Sequence, residues 1–293
     1  MQVTITPAEP SHVPTLVDLY DRAYHGGYSA CFDRYGPASP QDFWWVQTEK
    51  PVFLLEVNHK PHGVIIFGRM GRQMLVEEVL IPAPVGDRAG DAEAKAMESI
   101  LNTVHDFLVK RFHGEHQDLL TLRCAETNAE GLNLVRRYDF TFANALVVAA
   151  GATRKDGRVP AGYTVRRAVQ ADSHPVARLQ EETLNVTVLP DVLNRLWKQA
   201  DARVFLAERE KFPVAFLIAQ VKDGVGRWTV GVREAHKGKG LGTVLAQEAL
   251  QFFSANHVTP MTTYWALDAQ SAAFVRSLDA RTERTYLYFE KRI

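Results

Sequence analysis

Cysteine is scarce, neither charge is in excess, and no long apolar run occurs; each shortage excludes something. Cys31 and Cys124 are the only cysteines in 293 residues. Two such residues make neither a disulfide framework nor a zinc constellation, and they suit a reducing compartment, so a cytoplasmic protein is expected. Lysine plus arginine number 34, as do aspartate plus glutamate. A neutral chain without a basic run has no global attraction for nucleic acid or anionic membrane, so neither is expected as a partner and any anion site must be local. No apolar stretch approaches the ~18 residues of a membrane-spanning helix. The opening residues Met1 to Pro7 lack a charged region followed by an apolar one, which reads as no signal peptide.

What is present is enough apolar sequence, 46%, for substantial cores, on a length that accommodates two ordinary domains. An internal repeat supports two. Val52-Phe53-Leu54-Leu55-Glu56 returns as Val204-Phe205-Leu206-Ala207-Glu208, and Pro61 and Pro213 follow at the same interval. Asn128-Ala129-Glu130-Gly131 through Phe140 is echoed by Asp268-Ala269-Gln270-Ser271 through Ala280. Ser11-His12 is echoed by Ser173-His174, each pair opening a helix. The three echoes keep their order, as a duplicated domain would. Residues 151–162, poor in apolar periodicity and rich in Gly, Ala, Pro and basic residues, read as a linker between domains at 1–150 and 163–293.

Hydrophobic periodicity gives the second half the order β-α-α-β-β-β-α-β-α-β, and the first half repeats it. The fold class expected is α/β with a mixed sheet and helices on both sides. Between a strand ending at Val232 and a helix starting near Leu241 lies Arg233-Glu234-Ala235-His236-Lys237-Gly238-Lys239-Gly240-Leu241-Gly242. Glycines allow backbone N–H groups to converge, the helix start attracts anions, and Arg233, Lys237 and Lys239 add charge; these are the parts of a pyrophosphate cradle. No Lys-Ser/Thr follows as in a Walker loop, and no βαβ unit with a ribose-binding acid follows as in a dinucleotide fold.

Lys237-x-x-Gly240-x-Gly242, at this place in this strand order, resembles the signature of the GNAT N-acetyltransferase superfamily, Arg/Gln-x-x-Gly-x-Gly/Ala, with lysine as a departure at the first position. The resemblance extends over nearly all of both halves and implies two tandem GNAT-like acyl-CoA N-acyltransferase domains. It implies acetyl-CoA as co-substrate, no metal, and a small-molecule amine as acceptor, in a monomer or homodimer. Lys237, Gly238, Lys239, Gly240, Leu241, Gly242 and Thr243 would hold the diphosphate. The edge Val230-Gly231-Val232 would pair with the pantetheine arm and supply backbone N–H groups for an oxyanion, and Asp268 stands where an asparagine is common. Asp268 reads equally as a helix N-cap.

The family tyrosine of the last helix is replaced by Val275. Tyr286, Tyr288 and Tyr264 are candidate acids, each also an ordinary sheet aromatic. Glu208 and Glu181 are candidate bases, each also an ordinary surface carboxylate. Because Glu56 repeats Glu208, a structural role weighs on that pair.

The first half reads Pro82-Ala83-Pro84-Val85-Gly86-Asp87-Arg88-Ala89-Gly90-Asp91-Ala92 at the matching place. Gly90 and Ala92 keep the spacing, but Asp87 replaces the basic residue, and Asp91 and Glu93 crowd the helix start, where they would repel a diphosphate. No acyl-CoA is therefore expected there. The first half is read as structural, or as a wall of the acceptor cleft through the aromatic segment Tyr20 to Tyr35, which reads equally as a surface loop. Two functions stay open: a direct-transfer N-acetyltransferase, and a non-catalytic acyl-CoA-binding regulatory module.

Overall fold

The computed structural model describes residues 1–25, 39–40, 43, 51–70, 73–82, 91–153, 157–184, 190–222 and 224–293. The first half runs β1 (Val3–Pro7), α1 (Val13–His25), β2 (Val52–Val57), β3 (Lys60–Met70), β4 (Gln73–Leu80), α2 (Asp91–Gly114), β5 (Leu119–Ala125), α3 (Ala129–Arg137) and β6 (Thr141–Ala150). The second runs β7 (Tyr163–Arg167), α4 (Ser173–Leu184), α5 (Pro190–Leu196), β8 (Ala202–Arg209), β9 (Phe212–Lys222), β10 (Val225–Val232), α6 (Leu241–Ala255), β11 (Thr259–Trp265), α7 (Ala269–Ser277) and β12 (Arg281–Arg292). The mixed α/β class and the element order of the second half are as the periodicity gives them. No helix among the described residues is long and apolar enough to cross a membrane.

The halves also match in backbone detail. Among the described residues eight non-glycines have positive φ, and they fall into equivalent places: Asn58 and His59 against Glu210 and Lys211, His116 against His257, Asp139 against Asp279. Such angles cost free energy in L-residues, so their recurrence reflects one chain path used twice rather than local preference. At 58–59 and 210–211 both central hairpin residues are left-handed, which matches the twist of the flanking strands.

Contacts divide the chain into two compact units, one of Met1–Leu146 with Arg284–Ile293, the other of Val147–Glu283. The division differs from the ranges 1–150 and 163–293 because each half gives up its last strand. β12 pairs antiparallel with β5, from Tyr286↔Ala125 to Arg292↔Leu119, and so completes the first unit. The end of β6 completes the second: Ala149 and Ala150 are buried, and the N–H of Gly151 donates to the carbonyl of Pro260, 3.0 Å away.

In the first unit β1 to β4 pair antiparallel, and β4 meets β5 in parallel at Val76↔Leu122. Its core joins α2, through Val104, Leu108 and Phe112, to Ile65, Phe67 and Leu122 of the sheet. In the second unit β7 to β10 pair antiparallel. One sheet face packs on α6 through Leu241, Leu245, Ala249 and Phe253. The other packs on α4 and α5 through Val176, Leu179 and Leu193. Gly226 lets α6 approach closely: a Cβ there would lie 2.4 Å from the ring of buried Phe253.

Candidate functional site

In the second unit β10 pairs with β9 over its full length to Val232↔Ala215. With β11 it pairs only over Val225↔Thr259 to Arg227↔Met261. Beyond Arg227 the parallel strands part, and no side chain among the described residues bonds the freed backbone edge from Trp228 to Val232. Backbone groups freed in this way are able to pair with an extended ligand. Gly231 keeps the crevice shaped from the α4 side, since a Cβ there would lie 2.1 Å from Thr183 Oγ1 and 2.5 Å from the Phe216 ring.

The first unit has the same fork with its edge closed. Arg123 Nε donates to the Glu77 carbonyl at 3.2 Å, and Asn128 Nδ2 donates to the Val79 carbonyl at 2.8 Å. An extra residue, Glu77, bulges β4 at this point, whereas β10 has no bulge against β9. The residues matching Arg123 and Asn128 are Thr263 and Asp268, and neither reaches the β10 edge. Asp268 caps α7 instead, accepting from the N–H groups of Gln270 and Ser271, both at 3.1 Å, and from the Ser271 hydroxyl at 2.5 Å. Asn128 caps α3 in the same way but has an amide left to donate. A carboxylate has none, so replacing asparagine by aspartate keeps the cap and frees the strand edge. The Ser271 hydroxyl and these backbone bonds hold the Asp268 carboxyl below the usual aspartate range, and Lys237 lowers it further.

At the mouth of the fork the chain leaves β10, makes a 3-10 turn over Glu234–His236, and enters α6. Gly238 and Gly240 have φ +73° and +82°, and space is open where a Cβ would stand on either. Gly240 is the N-cap of α6 and has no side chain to cap with; no acidic residue occupies the first turn, and the first intrahelical bond is Val244 N–H to Gly240 O. No acceptor among the described residues takes the N–H of Leu241, Gly242 or Thr243. Three unpaired donors with the helix dipole behind them form an anion site. The flanking cations are held in place. Lys237 pairs with Glu234 at 2.7 Å, Lys239 donates to the Ala235 carbonyl at 2.9 Å, and Arg233 pairs with Glu182 at 2.8 Å. Arg178, then Arg233, hold the Glu182 carboxyl below the usual glutamate range.

Val230, Gly231 and Val232 on the edge, and Lys237 through Thr243 in the turn, are therefore brought together, with Asp268 beside them as a cap. Tyr286 and Tyr288 are buried on β12 in the first unit, whereas Glu208 and the turn belong to the second. Glu208 is engaged as a counter-ion: its carboxylate accepts from Arg166 Nη2 at 2.7 Å and Nε at 3.1 Å. Glu181 is exposed on α4 and Tyr264 half-buried on β11. The matching first-half turn at 83–90, and the aromatic segment from Gly26 to Tyr35, lie outside the described residues. Among those residues no group of three His, Cys, Asp or Glu side chains has the arrangement of a metal site.

Arg166 also binds Asp172, at 2.8 and 2.9 Å, which ties β7 to β8 and to the start of α4. Arg166 first, then the Val169 N–H, lowers the Asp172 pKa despite burial. A depressed carboxyl adds stability that is present above the unfolded aspartate value, ~3.9, and lost as pH falls through the folded one. Asp172→Asn is expected to lower Tm at pH 7 by about 2–4 °C, for a loss near 1 kcal/mol, and to converge with the wild type once the pH has fallen below the folded Asp172 value. Thermal melts across that range check it; a gap that persists in acid contradicts the ion pair's role.

Residues 171–277 match the Acetyltransferase (GNAT) family model. Among solved structures, a GCN5-related N-acetyltransferase from Sphaerobacter thermophilus superposes with a TM-score of 0.77 at 16% identity, over 99% of this chain and 95% of that one. A tandem GNAT protein from the clavulanic acid biosynthesis pathway, solved without AcCoA, gives 0.67 at 13% identity over 99% and 98%. A GNAT-family acetyltransferase from Colwellia psychrerythraea gives 0.63 at 10% over 99% and 100%. At these identities the likeness is one of fold. The search of curated proteins found no match.

Proposed function

We propose that the protein is an acetyl-CoA-dependent N-acetyltransferase acting on a small-molecule amine, with its acyl-CoA site in the second unit. The observation that carries this is the open fork of β10 and β11 leading to three unpaired N–H groups at the start of α6. The residues fit the co-substrate. Leu241, Gly242 and Thr243 would donate to the diphosphate, with Lys237 and Lys239 alongside, and the edge at Val230–Val232 would pair with the amides of the pantetheine arm. Bound acetyl-CoA supplies a thioester that the amine attacks directly. Backbone N–H groups near Val232 would face the carbonyl oxygen and stabilise the charge that develops on it. The one cysteine among the described residues, Cys124, is buried in the first unit, where burial and Glu78 push its thiol far up, so direct attack by the amine is preferred to a thiol relay.

A second reading, an acyl-CoA-binding regulatory module, is favoured by two features: buried Val275 stands where the family's tyrosine would be, and Glu208 is paired with Arg166. Turnover separates the two. With acetyl-CoA and a panel of small amines, free CoA thiol is expected to accumulate above the hydrolysis control for at least one amine. Saturable binding without thiol release would assign the chain to the regulatory reading.

A further inference from the structure

Beside the glycine turn lies a surface that the sequence did not single out. Tyr163 pairs with Arg209 across β7 and β8, and Arg209 with Phe212 across β8 and β9. Directly paired residues share a sheet face, so the three side chains form a row. The Arg209 guanidinium lies 5.9 Å and Lys239 Nζ 6.0 Å from the Tyr163 ring centre. The Tyr163 hydroxyl is 2.8 Å from His236 Nδ1 and takes a bond from Lys239 Nζ at 3.3 Å. Phe212 leaves 71% of its surface exposed at the end of the row. Here, then, the exposed Phe212 is paired with Arg209, and Arg209, Lys239 and His236 gather around the Tyr163 ring and hydroxyl beside the glycine turn.

Resting on the reading above, we propose that this row binds the adenosine 3′-phosphate end of CoA, Phe212 stacking on the adenine while Arg209, Lys239 and protonated His236 hold the phosphate. A phosphate monoester carries about two negative charges at neutral pH, its second pKa being near 6, and calls for several cations at once. His236 is faced by Tyr163 from β7, Arg209 from β8, and Lys239 and Arg233 from its own loop; Lys237 and Glu234, its neighbours along the turn, pair with each other. Burial, then Lys239, Arg209 and Arg233, lowers the His236 pKa, so the free protein holds a neutral imidazole at neutral pH. A dianion reverses that balance, and binding takes up a proton.

Calorimetric titration of the full chain with acetyl-CoA and with acetyl-3′-dephospho-CoA tests this. At pH 6.5 acetyl-CoA is expected to bind about tenfold tighter, with the ratio narrowing by pH 8. In buffers of different ionisation heat, proton uptake should accompany acetyl-CoA alone. Arg209→Ala and His236→Gln should weaken acetyl-CoA toward the dephospho value and leave the latter unchanged, whereas Phe212→Ala should weaken both alike. Tight, equal binding of the two thioesters by the wild type would overturn the inference and leave the acyl-CoA site standing. Failure to bind either would remove both.

Discussion

Gly240→Glu is expected to weaken acetyl-CoA binding by more than about a hundredfold while the protein remains folded. Gly240 has φ +82°, and nothing lies within 4 Å of where its Cβ would stand. The change therefore carries backbone strain of about 1–2 kcal/mol without a steric clash. A carboxylate at the helix start also gains from the dipole, which offsets part of the strain. The same carboxylate can accept from the N–H groups of Leu241, Gly242 and Thr243, and so it occupies the site that the diphosphate needs. Loss of two charge-assisted hydrogen bonds at roughly 1.5–3 kcal/mol each gives at least the stated factor. Gly240→Ala separates the causes: it keeps the strain, adds no acceptor and should cost binding only a few-fold. Gly90→Glu, at the matching place in the first half, should leave binding as it is. Calorimetry and a thermal melt on all three variants check this. Equal losses from Gly90→Glu and Gly240→Glu, or near wild-type affinity in Gly240→Glu, would sink the assignment of the diphosphate to α6.

The turn was legible in the sequence because its chemistry is local. Glycines at the spacing of Gly238, Gly240 and Gly242 after an apolar strand specify a left-handed entry to a helix, whatever lies elsewhere in the chain. Asp268 was legible to the same extent, its reading as an N-cap resting on residues within three positions. What escaped depends on distant partners. Glu208 looks like a free carboxylate until the β7–β8 register sets Thr164 opposite it and brings Arg166 to its side. The Tyr163, Arg209 and Phe212 row exists only through two strand pairings. The closed fork of the first unit depends on Arg123 and Asn128 reaching across to β4, which no motif encodes. The left-handed hairpins escaped for another reason: neither Asn58-His59 nor Glu210-Lys211 contains the glycine that usually marks such a turn. Strand exchange is the least legible feature of all. β6 and β12 stand at the ends of similar halves, and periodicity states which face a strand buries but not which neighbour it joins.

Deleting Arg284–Ile293 should therefore damage the first unit, not the one whose sequence it terminates. The deletion strips β5 of its antiparallel partner from Ala125 to Leu119 and leaves those backbone groups without a strand. It removes Tyr286 and Tyr288, exposed by only 2% and 6%. Each ring buries about 150–250 Å², or roughly 4–6 kcal/mol at about 25 cal/mol per Å². It also removes the bonds from Lys291 Nζ to the Tyr138 carbonyl, 2.8 Å, and from the Ile293 N–H to the Asp118 carbonyl, 3.1 Å. Together these losses rival the ~5–15 kcal/mol that holds a typical domain folded. Hydrogen exchange read by mass spectrometry should show protection lost across β5 and α2 and kept across β8, β9 and α6. The opposite pattern, with the second unit opening and the first intact, would mean that β12 belongs with residues 163–283 as the sequence order alone suggests.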